Sequence, residues 1–323
     1  MTRYIVRRLL GSIPVLLSLT FVVFAMMRAI PGGPFEFVGD KSLPPSVVAN
    51  LRAKYHLDDP LWKQFVDYVW DLLHFDFGPS YQYRNLTVND IIGTTLPVSM
   101  QLGAMALALA LLIGIPAGIL AALKQNSIID YACTFVAILG VSIPSMVLGP
   151  FLIWIFALKL NWFPVATWGA ERPFILGFIP KPTPKFFMHA VLPVVALGTR
   201  LSASIARLTR ASLLQVIRED YIRTARAKGL MERVIIMRHA LKNSLIPVVT
   251  ILGPMFAAVL TGTFVVESIF GIPGMGKYFV TSIGNRDYPL IVGITLLYGV
   301  FLVIANLMVD ITYAWLDPRI RYR

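Results

Sequence analysis

The side chains of this chain best suited to chemistry are basic, and they gather in one segment, Arg207 to Lys242. Nine of its 36 residues are Lys or Arg, and three are acidic. A loop on the cytoplasmic side of a membrane carries Lys and Arg to fix orientation, but a loop as long and as basic as this one exceeds that need. The segment therefore indicates a charged docking surface for a partner rather than a catalytic centre.

The order of residues in this segment predicts two helices separated by a glycine. Glu219 and Asp220 open the first helix and the bases of Arg223–Lys228 close it, an arrangement that matches the helix dipole. Gly229 is a natural helix stop, and Leu230–Leu241 is predicted to continue as a second, amphipathic helix. A helix–glycine–helix unit suits docking into a groove on a partner protein.

Isolated charges also lie within or beside apolar runs. Arg200 falls inside an apolar run with Ser204 one helical turn away, and an arginine within a membrane is costly and often functional. Three interpretations of Arg200 stay open: it lines a substrate path, it has a structural partner, or it reaches along the helix to the membrane surface. Glu267 ends another run, where it could recognise a cationic amine or cap the turn that follows. Asp310 is expected to pair with a cytoplasmic base.

Metal and nucleotide chemistry find little support in the sequence. His239 has no second ligand three or four residues away, and His56, His74 and His189 are dispersed. The single cysteine, Cys133, lies in an apolar run and is interpreted as a packing residue. The sequence contains no Gly-x-x-x-x-Gly-Lys-Ser/Thr motif. We therefore expect no metal site, no bound cofactor and no enzymatic activity in this chain.

The elements that position these residues are predicted to be membrane helices. Hydrophobic residues make up 57% of the chain and charged residues 14%, with a mean hydropathy of +0.71, whereas a soluble domain carries about 25% charged residues. The first apolar run is too long for a signal-peptide core and is predicted to be retained. Six runs are long enough, at roughly 20 residues, to cross a bilayer. They are Leu9–Met27, Leu96–Leu123, Tyr131–Leu158, Phe187–Ala206, Leu245–Val266 and Leu290–Tyr313.

The distribution of Lys and Arg predicts the orientation of these spans. With the N-terminus inside, cytoplasmic segments hold sixteen Lys and Arg residues, and the two short outer loops hold six. Both termini are therefore predicted to lie in the cytoplasm, in a multi-pass protein of the cell (inner or plasma) membrane. The cytoplasmic loops also explain the net charge of +12, so a nucleic-acid partner is not expected.

The chain is predicted to have three parts. Residues 1–30 form the N-terminal tail and first span, residues 31–94 an extracytoplasmic insertion, and residues 95–323 a five-span core with a cytoplasmic loop at 207–245. An amphipathic helix is predicted over Pro60–Leu73, whose aromatic stripe is interpreted as local core or as an anchor at the membrane interface. That stripe consists of Trp62, Phe65, Val66, Val69, Trp70 and Leu73.

Glycine and proline are expected to interrupt two of the spans. One break is predicted at Gly114–Gly118 in the second span and another at Pro144–Pro150 in the third. Such breaks occur where a helix lines a cavity or packs closely on a neighbour, and close packing is the more common cause.

The motifs of the basic segment resemble the ATPase-coupling loop of binding-protein-dependent ABC importers, in particular the dipeptide/oligopeptide/nickel permease family. The importer pattern is Glu-Ala-Ala, three residues, Gly, nine residues and Ile-x-Leu-Pro. Here Arg223-Thr224-Ala225 replaces Glu-Ala-Ala, and Gly229 matches. In the Ile-x-Leu-Pro part of the pattern, His239 occupies the position of Ile, Leu241 matches Leu, and Lys242 replaces Pro. Further matches occur in order at Tyr4–Leu9, Ile30–Pro34, Leu57–Leu61, Ala206–Leu214, Glu267–Gly276, Arg286–Pro289 and Leu316–Arg321.

The resemblance implies an all-α, six-helix permease of the type I importer fold. It implies a companion permease that shares the translocation path, two cytoplasmic ABC ATPase subunits that bind ATP and Mg, and an extracytoplasmic solute-binding protein. Arg200, Ser204 and Glu267 are possible path residues, and the expected cargo is di- or oligopeptide, with nickel chelates or oligosaccharides as alternatives. The implied coupling residues are Tyr221, Arg223, Thr224, Ala225, Arg226, Lys228, Gly229, Leu230, His239 and Leu241.

An ion-coupled secondary transporter of small solutes is the competing hypothesis, because broken helices and charges within the membrane would suit it as well. Secondary transporters commonly contain inverted repeats, and none is found between residues 1–160 and 161–323.

Overall fold

A computed structural model describes residues 2–30, 33–35, 44–83 and 85–316, with side chains from residue 5 to residue 313 of those ranges. Most of the Leu316–Arg321 motif and part of the Ile30–Pro34 motif lie outside the described residues. The helices are α1 (Thr2–Ala29), α2 (Pro45–Lys54), α3 (Leu61–Leu73), α4 (Val88–Leu123), α5 (Ile128–Ser142), α6 (Ser145–Leu152), α7 (Pro184–Val216), α8 (Asp220–Ala227), α9 (Glu232–Val234), α10 (Leu241–Ser244), α11 (Ile246–Leu260), α12 (Phe264–Ile269), α13 (Met275–Asn285) and α14 (Tyr288–Leu316). Two segments, Ile153–Lys159 and Ile235–Ala240, are π-helical.

Five helices or helix pairs of the described chain are long and apolar enough to cross a membrane: α1, α4, α7, α11 with α12, and α14. The predicted third span differs from expectation, because α5 and the helix that follows are bent by 101°. The bend falls at Ile143–Pro144, where both residues adopt extended backbone conformations. Proline lacks an N–H and disfavours helical geometry in the residue before it, so one straight helix cannot form there.

The bent pair nevertheless runs from one end of the bundle to the other. Asp130, in the first turn of α5, pairs with Arg210 near the end of α7. Gly149 of α6 packs against Ile269, at the far end of the α11–α12 pair. Counted as one span, the pair brings the total to six, in agreement with the number predicted.

The predicted break at Gly114–Gly118 does not occur, and α4 continues through Pro116 to Leu123. The two glycines serve close packing instead. A Cβ placed on Gly114 would lie 2.7 Å from the carbonyl oxygen of Ser202, and one on Gly118 would lie 2.5 Å from that of Ala206. Because these two positions have no side chain, the backbone of α4 lies directly against backbone and side-chain atoms of α7. Small residues act in the same way at other helix contacts in membranes.

The helices extend well beyond the predicted spans. At 33 residues α7 is about 50 Å long at 1.5 Å per residue, so it continues past a hydrocarbon core of about 30 Å. The predicted boundary between insertion and core, at residue 94, falls within α4, which begins at Val88 behind a capping box of Thr87 and Asp90.

The insertion is anchored to the bundle by a buried carboxylate. Asp287, next to the start of α14, accepts hydrogen bonds from the Ser80 hydroxyl at 2.5 Å and the Tyr81 backbone N–H at 3.1 Å. Burial raises the pKa of the Asp287 carboxyl above its usual range. Within the insertion, α3 begins after Pro60 and ends at Leu73, which confirms the predicted amphipathic helix.

Candidate functional site

The candidate site is centred on α8, a short helix that is attached to its own chain by one face only. Ile222 and Ala225 are buried in an apolar cluster with Ala122 of α4, Leu213 of α7 and Ile235. Ile222 and Ala225 are three positions apart, so both lie on one face of the helix. The cluster fixes α8 to the ends of the two longest spans.

The opposite face of α8 is exposed and carries basic and polar side chains. The exposed members of the predicted coupling set on and after this helix are Tyr221, Arg223, Thr224, Arg226, Lys228, Gly229, Leu230 and His239, whereas Ala225 and Leu241 are buried. Ala225 therefore contacts the protein interior, and enlarging it would disturb the attachment of α8 rather than probe its outer surface.

Gly229 separates the two helical parts of the loop, as predicted. Its φ is +74°, a conformation that favours glycine, and nothing lies within 4 Å of a Cβ placed there. The second part is less regular than expected, because α9 and α10 are joined by the π-helical segment Ile235–Ala240. A π turn brings residues five apart into line, and both Ile235 and Ala240 are buried in the cluster that holds α8.

Two polar contacts close the loop across Gly229. Arg226 donates to both carboxylate oxygens of Glu232, at 2.6 and 3.2 Å, and Asn243 donates to the hydroxyl of Tyr221 at 2.8 Å. The hydrogen bond from Arg226 lowers the pKa of the Glu232 carboxyl and raises the pKa of the guanidinium. Sequence reasoning counted Glu232 only as an acid within a basic segment. The signal that could have predicted this ion pair was the position of Glu232, six residues after Arg226 and on the other side of Gly229.

A second ion pair ties the loop to the bundle. The buried carboxylate of Asp130 accepts hydrogen bonds from Nε and Nη2 of Arg210 at 2.6 and 2.7 Å, and from the Asn126 backbone N–H at 3.0 Å. Arg210 lies ten residues before α8, so this two-pronged contact fixes the exit of α7 against the entry of α5. Sequence reasoning missed Asp130, although an acid in the first turn of an apolar run calls for a partner.

Above the loop, one side of α7 carries a mostly polar stripe at helical spacing, which we call the polar face of α7. It consists of Arg200, Ser204, Arg207, Ala211 and Gln215 in α7, and of Arg218, two residues after the end of the helix. The Arg200 side chain is exposed and makes no hydrogen bond or ion pair with any described residue, whereas its backbone carbonyl oxygen accepts a hydrogen bond from the Ser204 hydroxyl at 3.2 Å. Arginines of this kind avoid lipid, so the polar face must meet water or another protein.

Glu267 lies elsewhere, fully buried at the end of the α11–α12 pair. Its carboxylate accepts hydrogen bonds from the Ser99 hydroxyl at 2.8 Å and from the backbone N–H groups of Thr263 and Gly276 at 3.1 and 2.9 Å. The structure therefore gives Glu267 the geometry of a turn cap, the alternative that the sequence left open, and does not bring it to the polar face of α7. Asp310 pairs with Arg8 at 3.1 Å, as expected.

The described residues contain no group of three or more His, Cys, Asp or Glu side chains arranged to hold a metal ion. The candidate site consists of a basic helix, α8, that is held against the bundle by one face, and of α7, which leads from it to an exposed polar face.

Comparison with known proteins identifies the type of system in which this arrangement occurs. Residues 114–322 match the family described as "Binding-protein-dependent transport system inner membrane component", and residues 1–103 match the N-terminal domain of such components. The chain is 46% identical over 322 residues to the oligopeptide transport system permease protein OppB of Salmonella typhimurium, covering 100% of both chains. It is 45% identical to the dipeptide transport system permease protein DppB of Bacillus subtilis, covering 99% of this chain and 98% of that protein.

Solved structures of the same fold are more distant in sequence. The MetNI methionine ABC transporter in an inward-facing conformation aligns with a TM-score of 0.53 at 14% identity, over 70% of this chain and 96% of that chain. An amino acid ABC transporter aligns with a TM-score of 0.50 at 16% identity, over 69% and 92%. The full-length matches decide the assignment, and this multi-pass inner-membrane protein belongs to the family of inner-membrane components of binding-protein-dependent transport systems.

Proposed function

We propose that this chain forms one half of the translocation path of an ATP-driven peptide importer and transmits the work of separate ATPase subunits to that path. The observation that carries the proposal is the two-sided character of α8. One face is fixed to the ends of α4 and α7, and the other presents exposed basic and polar side chains to a partner.

Force applied to α8 would pass directly into the membrane bundle. The apolar cluster around Ile222 joins α8 to α4 and α7, and the Arg226–Glu232 pair joins it to α9. The Asp130–Arg210 pair in turn holds α7 against α5. A helix held in this way moves with the spans and not independently of them. A cytoplasmic ATPase subunit with a groove for α8 could therefore tilt α7 when it closes on ATP and Mg. This chain has no phosphate-binding loop of its own, so ATP and Mg are assigned to two such partner subunits.

The polar face of α7 supports a shared path. Three arginines on one exposed stripe need water or a second protein beside them, and a companion permease facing this stripe would enclose an aqueous passage. Arg200, free of any partner in the described chain, is suited to attract the carboxylate of a peptide. Glu267 is not required for this proposal, because its oxygens already have partners within the chain.

The orientation follows from the proposed coupling. If α8 meets a cytoplasmic ATPase, an even number of spans separates it from each terminus, and both termini lie in the cytoplasm. The opposite ends of the helices would then receive cargo from an extracytoplasmic binding protein.

Peptides are the cargo that the relatives favour, because oligopeptide and dipeptide permeases align with the whole chain at 45–46% identity. Nickel chelates and oligosaccharides remain alternatives for the same architecture. A secondary transporter is disfavoured by the family match, which covers most of the chain.

ATP-driven uptake of a labelled oligopeptide by liposomes containing the assembled transporter tests the proposal. Arg223→Glu reverses a charge on the exposed face of α8. Within the described chain, this change removes one exposed ion pair, in which Arg223 lies 3.3 Å from Asp220. We expect uptake to fall by about tenfold or more, because a like-charge contact at an interface costs several kcal/mol. Arg233→Glu makes the same change on α9 and is expected to retain most of the uptake. Equal uptake in the two variants would contradict the proposal.

A further inference from the structure

A second exposed surface lies on α3, in the insertion and far from the coupling loop. Trp62, Val66, Trp70 and Leu73 recur every three or four residues and are 70, 55, 63 and 69% exposed. They form a continuous apolar stripe, which we call the outer stripe, on one side of a 13-residue helix. Exposed apolar patches that contain two tryptophans are rare on water-facing proteins and mark interaction surfaces.

The other side of α3 carries polar side chains. Gln64, Asp67, Tyr68 and Asp71 line a cavity of about 290 Å³ that also contacts Arg28 at the end of α1. The hydroxyl of Tyr68 and the side-chain oxygen of Gln64 are buried without a hydrogen-bond partner among the described residues, a setting that favours bound water. The two sides of α3 thus differ in the polarity of their side chains, and the apolar side is directed outward.

The position of α3 along α1 gives its depth. The Phe65 ring contacts the rings of Phe21 and Phe24 in edge-to-face geometry, with 5.4 Å between centroids in both pairs. Phe21 lies eight residues before the end of α1, about 12 Å along the axis at 1.5 Å per residue. The apolar run of α1 ends at Met27, so Phe65 contacts a part of α1 that lies inside the membrane.

The outer stripe lies beside an exposed apolar surface of α1, a predicted membrane span. At least half of the surface of Phe21, Val22 and Met26 of α1 is exposed. Only 6% of the most apolar 18-residue stretch of α1 is buried within the described chain. A membrane span with so little cover is surrounded mainly by acyl chains. Tryptophans concentrate at the boundary between acyl chains and headgroups, where an amphipathic helix binds with its apolar side about 5–10 Å deep.

We propose that α3 is an interfacial membrane helix, with Trp62, Val66, Trp70 and Leu73 embedded in the lipid beside α1. The occupant of the outer stripe is the lipid bilayer, in the leaflet next to the insertion. The anchor holds the insertion flat against the membrane and keeps the cavity behind α3 closed on its lipid side. This inference is independent of the cargo and of ATPase docking.

Site-specific fluorescence quenching in the assembled, reconstituted transporter tests the proposal. In a Cys133→Ser background, Val66→Cys is labelled with bimane, and Asp67→Cys, one residue along and on the cavity side, is the matched control. Liposomes contain phosphatidylcholine brominated near the headgroup end of its acyl chains, and iodide serves as the aqueous quencher. We expect brominated lipid to quench the label at position 66 about threefold more than the label at position 67, with weak quenching by iodide.

Two outcomes would overturn the inference. Iodide quenching at position 66 as strong as at position 67 would show that the outer stripe faces water. Protection of position 66 from both quenchers would show that a protein, such as a companion permease or a binding protein, covers it. Trp70→Cys repeats the measurement one turn further along, so that poor folding of one variant does not decide the result.

Discussion

At the scale of single residues, a buried ion pair holds the segment that leads into α8. Asp130 is almost completely buried and has one cationic partner, Arg210, which is itself largely covered. Burying two charges is costly, and the cost is offset here by two short hydrogen bonds and a backbone N–H. The pair fixes the exit of α7 at the point where the chain turns toward α8.

Removing one member of this pair should destabilise the loop and weaken the proposed coupling between ATP hydrolysis and transport. We expect Asp130→Asn to lower stability by about 1–3 kcal/mol, because Arg210 keeps a charge with no partner. The double variant Asp130→Asn/Arg210→Gln should recover part of the loss, since no unpaired charge remains. The thermal unfolding midpoint of the purified transporter, measured together with peptide-stimulated ATPase activity, checks both. An unchanged midpoint in the single variant would count against the assigned role.

The Arg226–Glu232 pair predicts a small pH dependence. Its hydrogen bond lowers the pKa of Glu232 below the usual 4.5, so the stabilisation is present above pH 4.5 and is lost as pH falls through the lowered value. Both side chains are about half exposed and screened by water, which limits the effect to about 0.2–1 kcal/mol. Wild type and Glu232→Gln should therefore differ in thermal midpoint at pH 6 and converge toward pH 3. A difference that is constant with pH would exclude the pair as its cause.

The sequence predicted some of these residues and not others, for physical reasons. Gly229 was recognisable because helix stops are local, and the basic residues of α8 because they are exposed. The Asp130–Arg210 contact joins residues eighty positions apart and depends on how α5 packs on α7, which no local pattern reveals. Glu267 looked like a path residue because charge within an apolar run is unusual, but the glycines around it let backbone N–H groups reach its carboxylate.

At the scale of elements, α4 and α7 form the central contact of the bundle, and glycine makes it possible. The sequence predicted the existence and approximate limits of both helices from apolar run length alone. It misplaced one break, because Pro116 and the flanking glycines look like an interruption until the neighbouring helix is seen. At Pro144 the same type of signal did produce a bend, of 101°. Whether a proline bends a membrane helix depends on tertiary contacts that can restore the lost hydrogen bonds.

A matched pair of glycine substitutions within α4 tests this close contact. Gly118→Ala places a Cβ 2.5 Å from the Ala206 carbonyl oxygen and 2.6 Å from the Thr209 Cβ, so the helices must separate, at a cost of about 1–3 kcal/mol. Gly93→Ala adds the same methyl group where nothing lies within 4 Å and should be neutral or slightly stabilising. Thermal midpoints of the two variants compare them directly. Equal midpoints would contradict the packing described for α4 and α7.

At the scale of the whole molecule, the fold connects the basic helix α8 to the polar face of α7 and, at the other end of the bundle, to the insertion. The six-span architecture was predictable from hydropathy, and the orientation that the distribution of Lys and Arg predicts stays a prediction. The insertion was predictable only as a folded unit with one amphipathic helix. Its attachment to α14 through Asp287 and Ser80 joins positions more than two hundred residues apart in the sequence.

The orientation can be measured with cysteines on two exposed loops in a Cys133→Ser background. Met231 follows α8 and is 73% exposed, and Leu176 lies in the connection between the bent pair and α7 and is 78% exposed. A membrane-impermeant maleimide should label Met231→Cys only in inverted vesicles and Leu176→Cys only in right-side-out vesicles. Labelling of both variants from the same side would contradict the predicted topology.

The central claim, that the exposed face of α8 docks on an ATPase subunit, is tested most directly by photo-crosslinking in the assembled complex. Replacing Thr224, exposed at the centre of α8, by p-benzoylphenylalanine places a reactive group at the proposed contact. Leu176, exposed at the opposite end of the bundle, is the matched control position. We predict a crosslink from position 224 to the ATPase subunit, identified by mass spectrometry, and none from position 176. A complex that hydrolyses ATP and imports peptide, yet gives no ATPase crosslink from position 224, would contradict the account.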